Sequence, residues 1–319
     1  MFVRIALASM LALAAPALAQ DAWPQKPVRL VVTAPPGGIT DILARIIGDH
    51  VGRTLGQAII VDNRPGAGGN IGAEFVAKAS PDGYTMLIVN VGTIAVHHWL
   101  QKNLPFDSLR DFVPVAPVAD GVSIIGIHAK LPPKNLKELI EYAKATPSKL
   151  NYGSAGNGTM PHLAAELFAY LTGTQFVHVP YKGAAPAAVD IASGQIQLGF
   201  IALGSMRAQL QAGQIRVLAV GSRDRLAAIP DVPTFEEAGL PGYDATNWFG
   251  VFAPRATPQT VVATMNREIN RMFDDPLVAR RIQEGGMVPI RETPEQFAKR
   301  VADDNIKWRD VVRRAGITN

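Results

Sequence analysis

Short apolar runs rich in β-branched residues alternate with amphipathic helical segments along almost the whole chain, and this alternation constrains the fold more than any other feature. Runs at 28–32, 59–61 and 86–89 predict strands. After the first run, Ile39 and Leu43 fall on one face of a predicted helix. Regular strand–helix alternation predicts an α/β fold with largely parallel sheets.

The same pattern continues to the C-terminus. Further strands are predicted at 122–127, 150–153, 176–180, 196–201 and 215–220. Three C-terminal helices are predicted to begin around Pro258, at Pro276 and, behind a capping box, after Thr293. These elements leave no room for a long flexible linker.

The length of the chain indicates two lobes. It has 319 residues, and one hydrophobic core seldom grows past roughly 250–300 residues. Because no linker separates two halves, we expect interleaved lobes rather than consecutive domains. The predicted division places 20–123 and 247–319 in lobe 1 and 124–246 in lobe 2.

The first nineteen residues have the features of a signal peptide. Arg4 precedes an apolar run at 5–15, and Ala17-Leu18-Ala19 offers small residues to a signal peptidase. An N-terminal membrane anchor is the alternative, but the run is shorter than the ~20 residues that span a bilayer. We therefore expect cleavage near Ala19 and export of the remaining chain to the periplasm.

Composition excludes several kinds of function. The chain has no cysteine, which rules out disulfides, thiolate nucleophiles, cysteine-bound zinc and iron–sulfur clusters. Its 31 basic and 27 acidic residues are mixed along the chain, so no basic stripe for nucleic acid is present. We expect no cofactor, no metal and no nucleic-acid partner.

Two glycine-rich loops at predicted strand–helix junctions carry the chemical signal, one at 34–41 and one at 152–159. The start of a helix leaves backbone N–H groups unpaired at the positive end of the helix dipole. Glycines let a ligand approach that backbone closely, so each loop is a natural seat for an anion. The hydroxyls of Thr40, Ser154 and Thr159 are expected to add donors, and Thr159 can cap the second helix.

The remaining motifs are weaker. A third glycine-rich stretch at 66–72 departs from the dinucleotide-binding spacing and is interpreted as a structural turn. His162 and Glu166 lie four residues apart on a predicted helix, where a capping or core role is favoured over metal binding. An exported hydrolase using Ser154 and His162 is a rival function, although no general base is identifiable beside the serine.

Several motifs together resemble one protein family. They are the stretches at 23–29, 35–38, 63–69, 81–85, 152–159, 178–183 and 230–239, together with Asp41 and His162-Leu163. With them the chain resembles the extracytoplasmic solute receptors of tripartite tricarboxylate transporters, the Bug-type receptors. This resemblance covers essentially the whole chain after the predicted signal peptide.

The resemblance implies a type II periplasmic-binding-protein fold with two α/β lobes, two crossovers and a central ligand cleft. It implies a small mono-, di- or tricarboxylate ligand, with one carboxylate held by the loop at 36–41, partly through water, and other contacts from the loop at 153–159. The implied ligand-binding residues are Pro36, Gly37, Gly38, Thr40, Asp41, Ser154, Gly156, Thr159, His162, Ala184 and Asp190.

The resemblance also implies partners and an assembly state. The bound anion would be delivered to membrane transporter subunits, and a monomer is expected because both lobes must be presented to them. A soluble ligand sensor that signals to a membrane sensor protein is the alternative to a transport role.

Overall fold

The computed structural model describes residues 23–101 and 103–317. The predicted signal peptide lies outside the described residues. The strands are β1 (Val28–Val32), β2 (Ile59–Asn63), β3 (Thr85–Asn90), β4 (Phe112–Gly121), β5 (Ser123–His128), β6 (Asn151–Ser154), β7 (Val177–Pro180), β8 (Leu198–Ala202), β9 (Ile215–Val220), β10 (Asn247–Pro254) and β11 (Met287–Pro289).

Ten α-helices connect these strands within the described residues. They are α1 (Ile39–Leu55), α2 (Asn70–Ala77), α3 (His97–Leu100), α4 (Leu136–Ala145), α5 (Met160–Thr172), α6 (Ala184–Ser193), α7 (Leu203–Gln211), α8 (Gln259–Met272), α9 (Pro276–Glu284) and α10 (Pro294–Ala315). A 3₁₀ turn at Ala67–Gly69 precedes α2, and a π-helical turn at Gly92–Val96 precedes α3.

The strands form two sheets. The first has the order β11-β4-β10-β3-β1-β2, and the second has the order β7-β6-β8-β5-β9. The chain passes from the first sheet to the second between β4 and β5, where Val122 alone separates the strands, and returns between β9 and β10. The first sheet therefore contains strands from both ends of the chain, the second contains the middle strands β5 to β9, and the chain crosses between the sheets twice.

The expectation of largely parallel sheets is wrong, because both sheets are mixed. β1 pairs in parallel with β2 and β3, and β6 pairs in parallel with β7 and β8. The ladders of β10 with β3 and β4, of β11 with β4, and of β5 with β8 and β9 are antiparallel. Every antiparallel ladder contains β4, β5 or β10, which are strands that lie next to a crossover. Such strands are not joined to their sheet neighbours by a returning helix, so they need not run parallel to them.

Helix starts agree with the sequence in the C-terminal region. Gln259 opens α8 directly after Pro258, and the Asp275 side chain accepts the Leu277 N–H at the start of α9. Thr293 and Gln296 form the predicted capping box of α10. Two of the predicted strands, β1 and β9, have the predicted boundaries, and the boundaries of the other predicted strands differ by at most two residues.

One buried apolar cluster continues from the first sheet to the second. It includes Val89 of β3, Leu163 of α5, Phe200 of β8 and Trp308 of α10. A second cluster packs on the other face of the first sheet, and a third packs on the other face of the second sheet. Within the described residues, no helix combines the length and the apolar character that crossing a bilayer requires.

Helix α10 is joined to both crossovers by ion pairs, which we call the α10 clamp (Asp120, Asp244, Arg300 and Lys307). Arg300 Nη2 lies 2.8 Å from each carboxylate oxygen of Asp120, at the end of β4. Lys307 Nζ lies 2.9 Å from Asp244 Oδ2, just before β10. Since the two cations are seven residues apart, they lie on the same side of the helix.

Candidate functional site

The first glycine loop joins β1 to α1 and leaves the start of α1 without a side-chain cap. Gly37 has a φ of +81°, in the left-handed region that favours glycine. The first intrahelical bond runs from Ile42 N to Gly38 O, so the N–H groups of Ile39, Thr40 and Asp41 precede it. Pro36 and Gly37 are exposed, whereas Thr40 is buried. The loop therefore offers backbone donors at an accessible helix start.

Asp41 holds this loop together from inside. It is only 2% exposed, and its carboxylate accepts the Gly37 N–H at 2.9 Å and the Asn63 amide at 2.9 Å. Arg45 donates to both carboxylate oxygens, at 2.9 and 3.0 Å. Hydrogen bonds from Arg45, with further ones from Gly37 and Asn63, hold the pKa of Asp41 at about 2. Its charge is thus compensated within the protein.

The second glycine loop joins β6 to α5. Gly156 and Gly158 have φ values of +130° and +69°. The expectation that Thr159 caps α5 is wrong, because its hydroxyl donates to Gly156 O at 2.7 Å and makes no cap. The first intrahelical bond, Leu163 N to Thr159 O, again leaves earlier N–H groups free of helical partners.

Ser154 is buried, and its hydroxyl is bonded to its own loop and to β7. It is 0% exposed, and its Oγ lies 2.6 Å from His178 Nε2 and accepts the Gly156 N–H at 3.1 Å. In this arrangement the hydroxyl is bonded within the protein, and a direct bond from Ser154 to a ligand stays a prediction. The hydrolase hypothesis also chose the wrong histidine, since His178 and not His162 contacts Ser154.

His162 lies under the second loop and supports it. It is 6% exposed, and its Nδ1 accepts the Gly158 N–H at 3.0 Å. Its ring stacks on His178 with a centroid distance of 3.9 Å, and Tyr152 also stacks on His178, at 4.8 Å. We call Tyr152, His178 and His162 the aromatic stack. The favoured core role for His162 agrees with this placement.

Sequence reasoning did not assign a role to His178 or Tyr152. These residues lie opposite each other in the parallel pairing of β6 and β7, so their rings meet on one face of the sheet. The sequence signal was available in the alternation of Tyr152 and Ser154 on one strand face, but only the strand register identifies His178 as their neighbour.

The turn before α6 extends the same edge. Tyr181 N donates to Ser154 O at 3.1 Å, and Ala184 begins α6 after Gly183, whose φ is +116°. Asp190 lies six residues further along α6, about 9 Å from its start. Its carboxylate accepts the Tyr181 hydroxyl at 2.7 Å. Ala184 therefore lies near the carboxyl ends of β6 and β7, close to the second glycine loop. Asp190 lies further along α6 and holds the Tyr181 hydroxyl instead.

Capping divides the helices into two groups. Side chains of Asn135, Asp275 and Thr293 cap α4, α9 and α10. The helices that follow the parallel strands start without a side-chain cap, namely α1, α2, α3, α5, α6 and α7. α8, which follows Pro258, also lacks one. Uncapped helix starts thus gather at the carboxyl ends of the parallel strands, where α/β proteins bind ligands.

Known proteins are similar to this chain over most of its length. Residues 43–317 match the family described as tripartite tricarboxylate transporter family receptor. Protein BugT of Bordetella pertussis is 36% identical over 305 residues, which are 95% of this chain and 93% of BugT.

Solved structures give the same relationship. Rpa4515 of R. palustris, solved with adipate, is 36% identical with a TM-score of 0.76, covering 93% of this chain and 100% of that chain. MatC from Rhodopseudomonas palustris, solved with bound malate, is 33% identical with a TM-score of 0.72, covering 91% and 100%. The two-lobed fold of periplasmic solute-binding proteins, expected from the sequence, is confirmed. The chain belongs to the receptor family of the tripartite tricarboxylate transporters.

Proposed function

We propose that this protein is a periplasmic receptor that binds a small organic carboxylate between its two lobes and delivers it to a tripartite membrane transporter. The observation that carries the proposal is the pair of glycine loops, each at the uncapped start of a helix. The family consists of solute-binding receptors, and the relatives solved with adipate and malate bind carboxylates.

The proposed lobes are 20–123 with 247–319, and 124–246. In this proposal the backbone N–H groups of Ile39, Thr40 and Asp41 hold one carboxylate, because those of Gly37 and Gly38 already donate within the loop. Donors at the starts of α5 and α6 face the ligand from the second lobe. Lys182, exposed beside Tyr181, adds a positive charge at that edge. We propose no catalytic step, since the one serine in these loops, Ser154, is buried.

Neutral donors suffice for useful affinity. A hydrogen bond to a charged group contributes about 1.5–3 kcal/mol. Four or five of them offset the loss of translational and rotational freedom and leave ~8 kcal/mol, which corresponds to a roughly micromolar Kd. An arginine clamp is therefore not required.

The proposal is tested by a thermal-shift screen of mono-, di- and tricarboxylates that includes adipate and malate. At least one is expected to raise the melting temperature, and Gly38→Val is expected to abolish that binding. Gly38 has a φ of −74°, which valine adopts readily, but a Cβ there would lie 3.3 Å from Pro35 O. The loop must therefore shift by a few tenths of an ångström while the methyl groups cover the start of α1, and the melting temperature without ligand shows that the fold persists. Gly48→Ala, on the same helix, is the control. Wild-type affinity in Gly38→Val would place the ligand elsewhere.

Closure of the lobes is a further expected result. A cleft between two lobes encloses an anion only when it shuts, so small-angle scattering should give a smaller radius of gyration at saturating ligand. The forward scattering should correspond to a monomer, which we propose as the functional form. An unchanged radius, or the mass of a dimer, would contradict the respective proposal.

A further inference from the structure

The support of the second loop depends on one ring nitrogen in a particular protonation state. His162 Nδ1 can accept the Gly158 N–H, at 3.0 Å, only when Nδ1 carries no proton. The neutral ring must then carry its proton on Nε2, which lies 3.8 Å from Glu166 Oε1. If Nδ1 were protonated, its N–H would face the N–H of Gly158, and two donors cannot form a hydrogen bond.

Gly158 is confined on its other side. A Cβ atom on this residue would lie 2.7 Å from Leu100 Cδ1, at the end of α3, and the residue has a left-handed φ of +69°. The loop thus lies between the imidazole of His162 and the Leu100 side chain. Loss of the bond to His162 would remove the polar support of the loop on one side and leave the contact with Leu100 on the other.

His178 responds differently to a proton, although it touches the same loop. When His178 Nε2 is unprotonated, the Ser154 hydroxyl donates to it. When Nε2 is protonated, Ser154 Oγ accepts, and its own proton turns to Gly156 O, 3.1 Å away. A hydroxyl can reverse direction in this way, whereas the backbone N–H of Gly158 cannot.

We propose that His162 is a positioning residue whose unprotonated Nδ1 keeps the loop at 154–159 in its ligand-binding conformation, so that acid releases Gly158 and weakens carboxylate binding. The role in binding rests on the proposed function. The titratable groups around the ring are Tyr152 on β6, His178 on β7 and Glu166 on α5, with the Tyr152 hydroxyl donating to Glu166 at 2.7 Å.

These surroundings set the range in which the bond survives. Burial, with the neighbouring His178 adding to it, lowers the pKa of His162 to about 4. The same burial raises the pKa of Glu166. The ring therefore remains neutral well below the ordinary range of histidine, and the loop is held from neutral pH down to roughly pH 5.

Two substitutions separate the acceptor from the ring. His162→Asn keeps an acceptor near the position of Nδ1 but does not titrate, and His162→Phe keeps the stacked ring but has no acceptor. At pH 7, calorimetry with adipate or malate should give affinity within about threefold of wild type for His162→Asn and a loss of tenfold or more for His162→Phe. Equal affinity of His162→Phe and wild type would overturn the proposal.

The pH profile is compared between variants, because the ligand's own carboxylates also titrate in acid. The loss of affinity between pH 6 and pH 3 should be at least threefold smaller in His162→Asn than in wild type, because most His162 rings are protonated one pH unit below a pKa of about 4. His178→Gln, which retains a partner for Ser154, should keep the wild-type profile. Identical profiles for wild type and His162→Asn would contradict the proposal.

A readout without ligand distinguishes this inference from the proposed function. In nitrogen NMR of labelled histidine, the His162 ring signal is assigned as the one that is missing from the His162→Asn spectrum. In wild type at pH 7, this signal should have the chemical shifts of the Nε2–H tautomer. Its titration should coincide with a shift of the Gly158 amide signal. A panel without any binder would refute the proposed function while leaving this test intact, and a Gly158 signal that ignores the titration would refute the inference.

Discussion

Replacing Arg300 by methionine is expected to lower the free energy of unfolding by about 3–5 kcal/mol, because it leaves the carboxylate of Asp120 buried without its partner. The two side chains are only 20% and 16% exposed, and Arg300 bonds both oxygens of Asp120. Burial already raises the pKa of Asp120 to about 6 although Arg300 opposes the shift. Loss of the guanidinium removes the main interaction that stabilises the charged form.

Urea unfolding followed by tryptophan fluorescence measures this change. Arg280→Met is the control, because Arg280 and Glu284 form an ion pair whose side chains are 75% and 62% exposed. Such exposed pairs contribute about 0.5 kcal/mol or less. A loss in Arg300→Met no larger than in the control would show that the α10 clamp does not stabilise the fold.

The pH dependence of stability has a defined sign at Asp120. The pKa of this carboxyl in the folded protein, about 6, lies above its ordinary value of 3.8. Its contribution to stability is therefore fully present below about pH 4 and is lost as the pH rises through 6. Asp120→Asn should flatten that part of the wild-type profile.

The second large effect is expected at Asp41. Asp41→Ala should weaken carboxylate binding by about 100-fold, because Gly37, Arg45 and Asn63 lose a shared acceptor and the first loop is no longer fixed. Hydrogen bonds to a charged group contribute about 1.5–3 kcal/mol each, and a loss of ~3 kcal/mol corresponds to that factor. Asp41→Asn retains one acceptor and should lose less.

Calorimetry at low and high salt separates two roles of this carboxylate. Asp49→Ala, an exposed acidic position on the same helix, is the matched control for a change of charge. Tighter binding in Asp41→Ala, largest at low salt, would mean that Asp41 chiefly repels the anion. Weaker binding at both salt concentrations is the expected outcome, since the Asp41 charge is compensated by Arg45.

Local rules explain what could be predicted from the sequence. The helix starts at Pro276 and after Thr293, and the glycine loops at the ends of β1 and β6, follow from capping, fixed proline φ and left-handed glycine. These features depend only on neighbours a few residues away, so the sequence contains all that they require.

The strands β4 and β10 were not predicted, although they pair with each other in the middle of the first sheet. β4 contains Pro114 and Pro117, which cannot donate to a ladder and argue against a central strand. Their ladder shifts register between Phe249 and Gly250, beside the residue that pairs with Pro117. Pairing between segments about 130 residues apart is a tertiary property that no local pattern indicates.

In the candidate site, too, the local features could be predicted and the long-range contacts could not. The sequence identified both loops and singled out Asp41, but the partners of Asp41 include Asn63 from β2. It also proposed the Ser154 hydroxyl as an added donor beside the backbone N–H groups of the second loop. The register of β6 and β7 brings His178 within reach of that hydroxyl, and this register is fixed only in the folded sheets.

The α10 clamp also restricts how the two sheets can move relative to each other. Arg300 fixes one crossover and Lys307 fixes the other, two turns apart on a single helix. A change in the distance between the crossovers would therefore strain at least one of these ion pairs. We expect any relative motion of the two sheets to leave both crossovers attached to α10, so that one helix, rather than two independent pivots, guides the direction of opening.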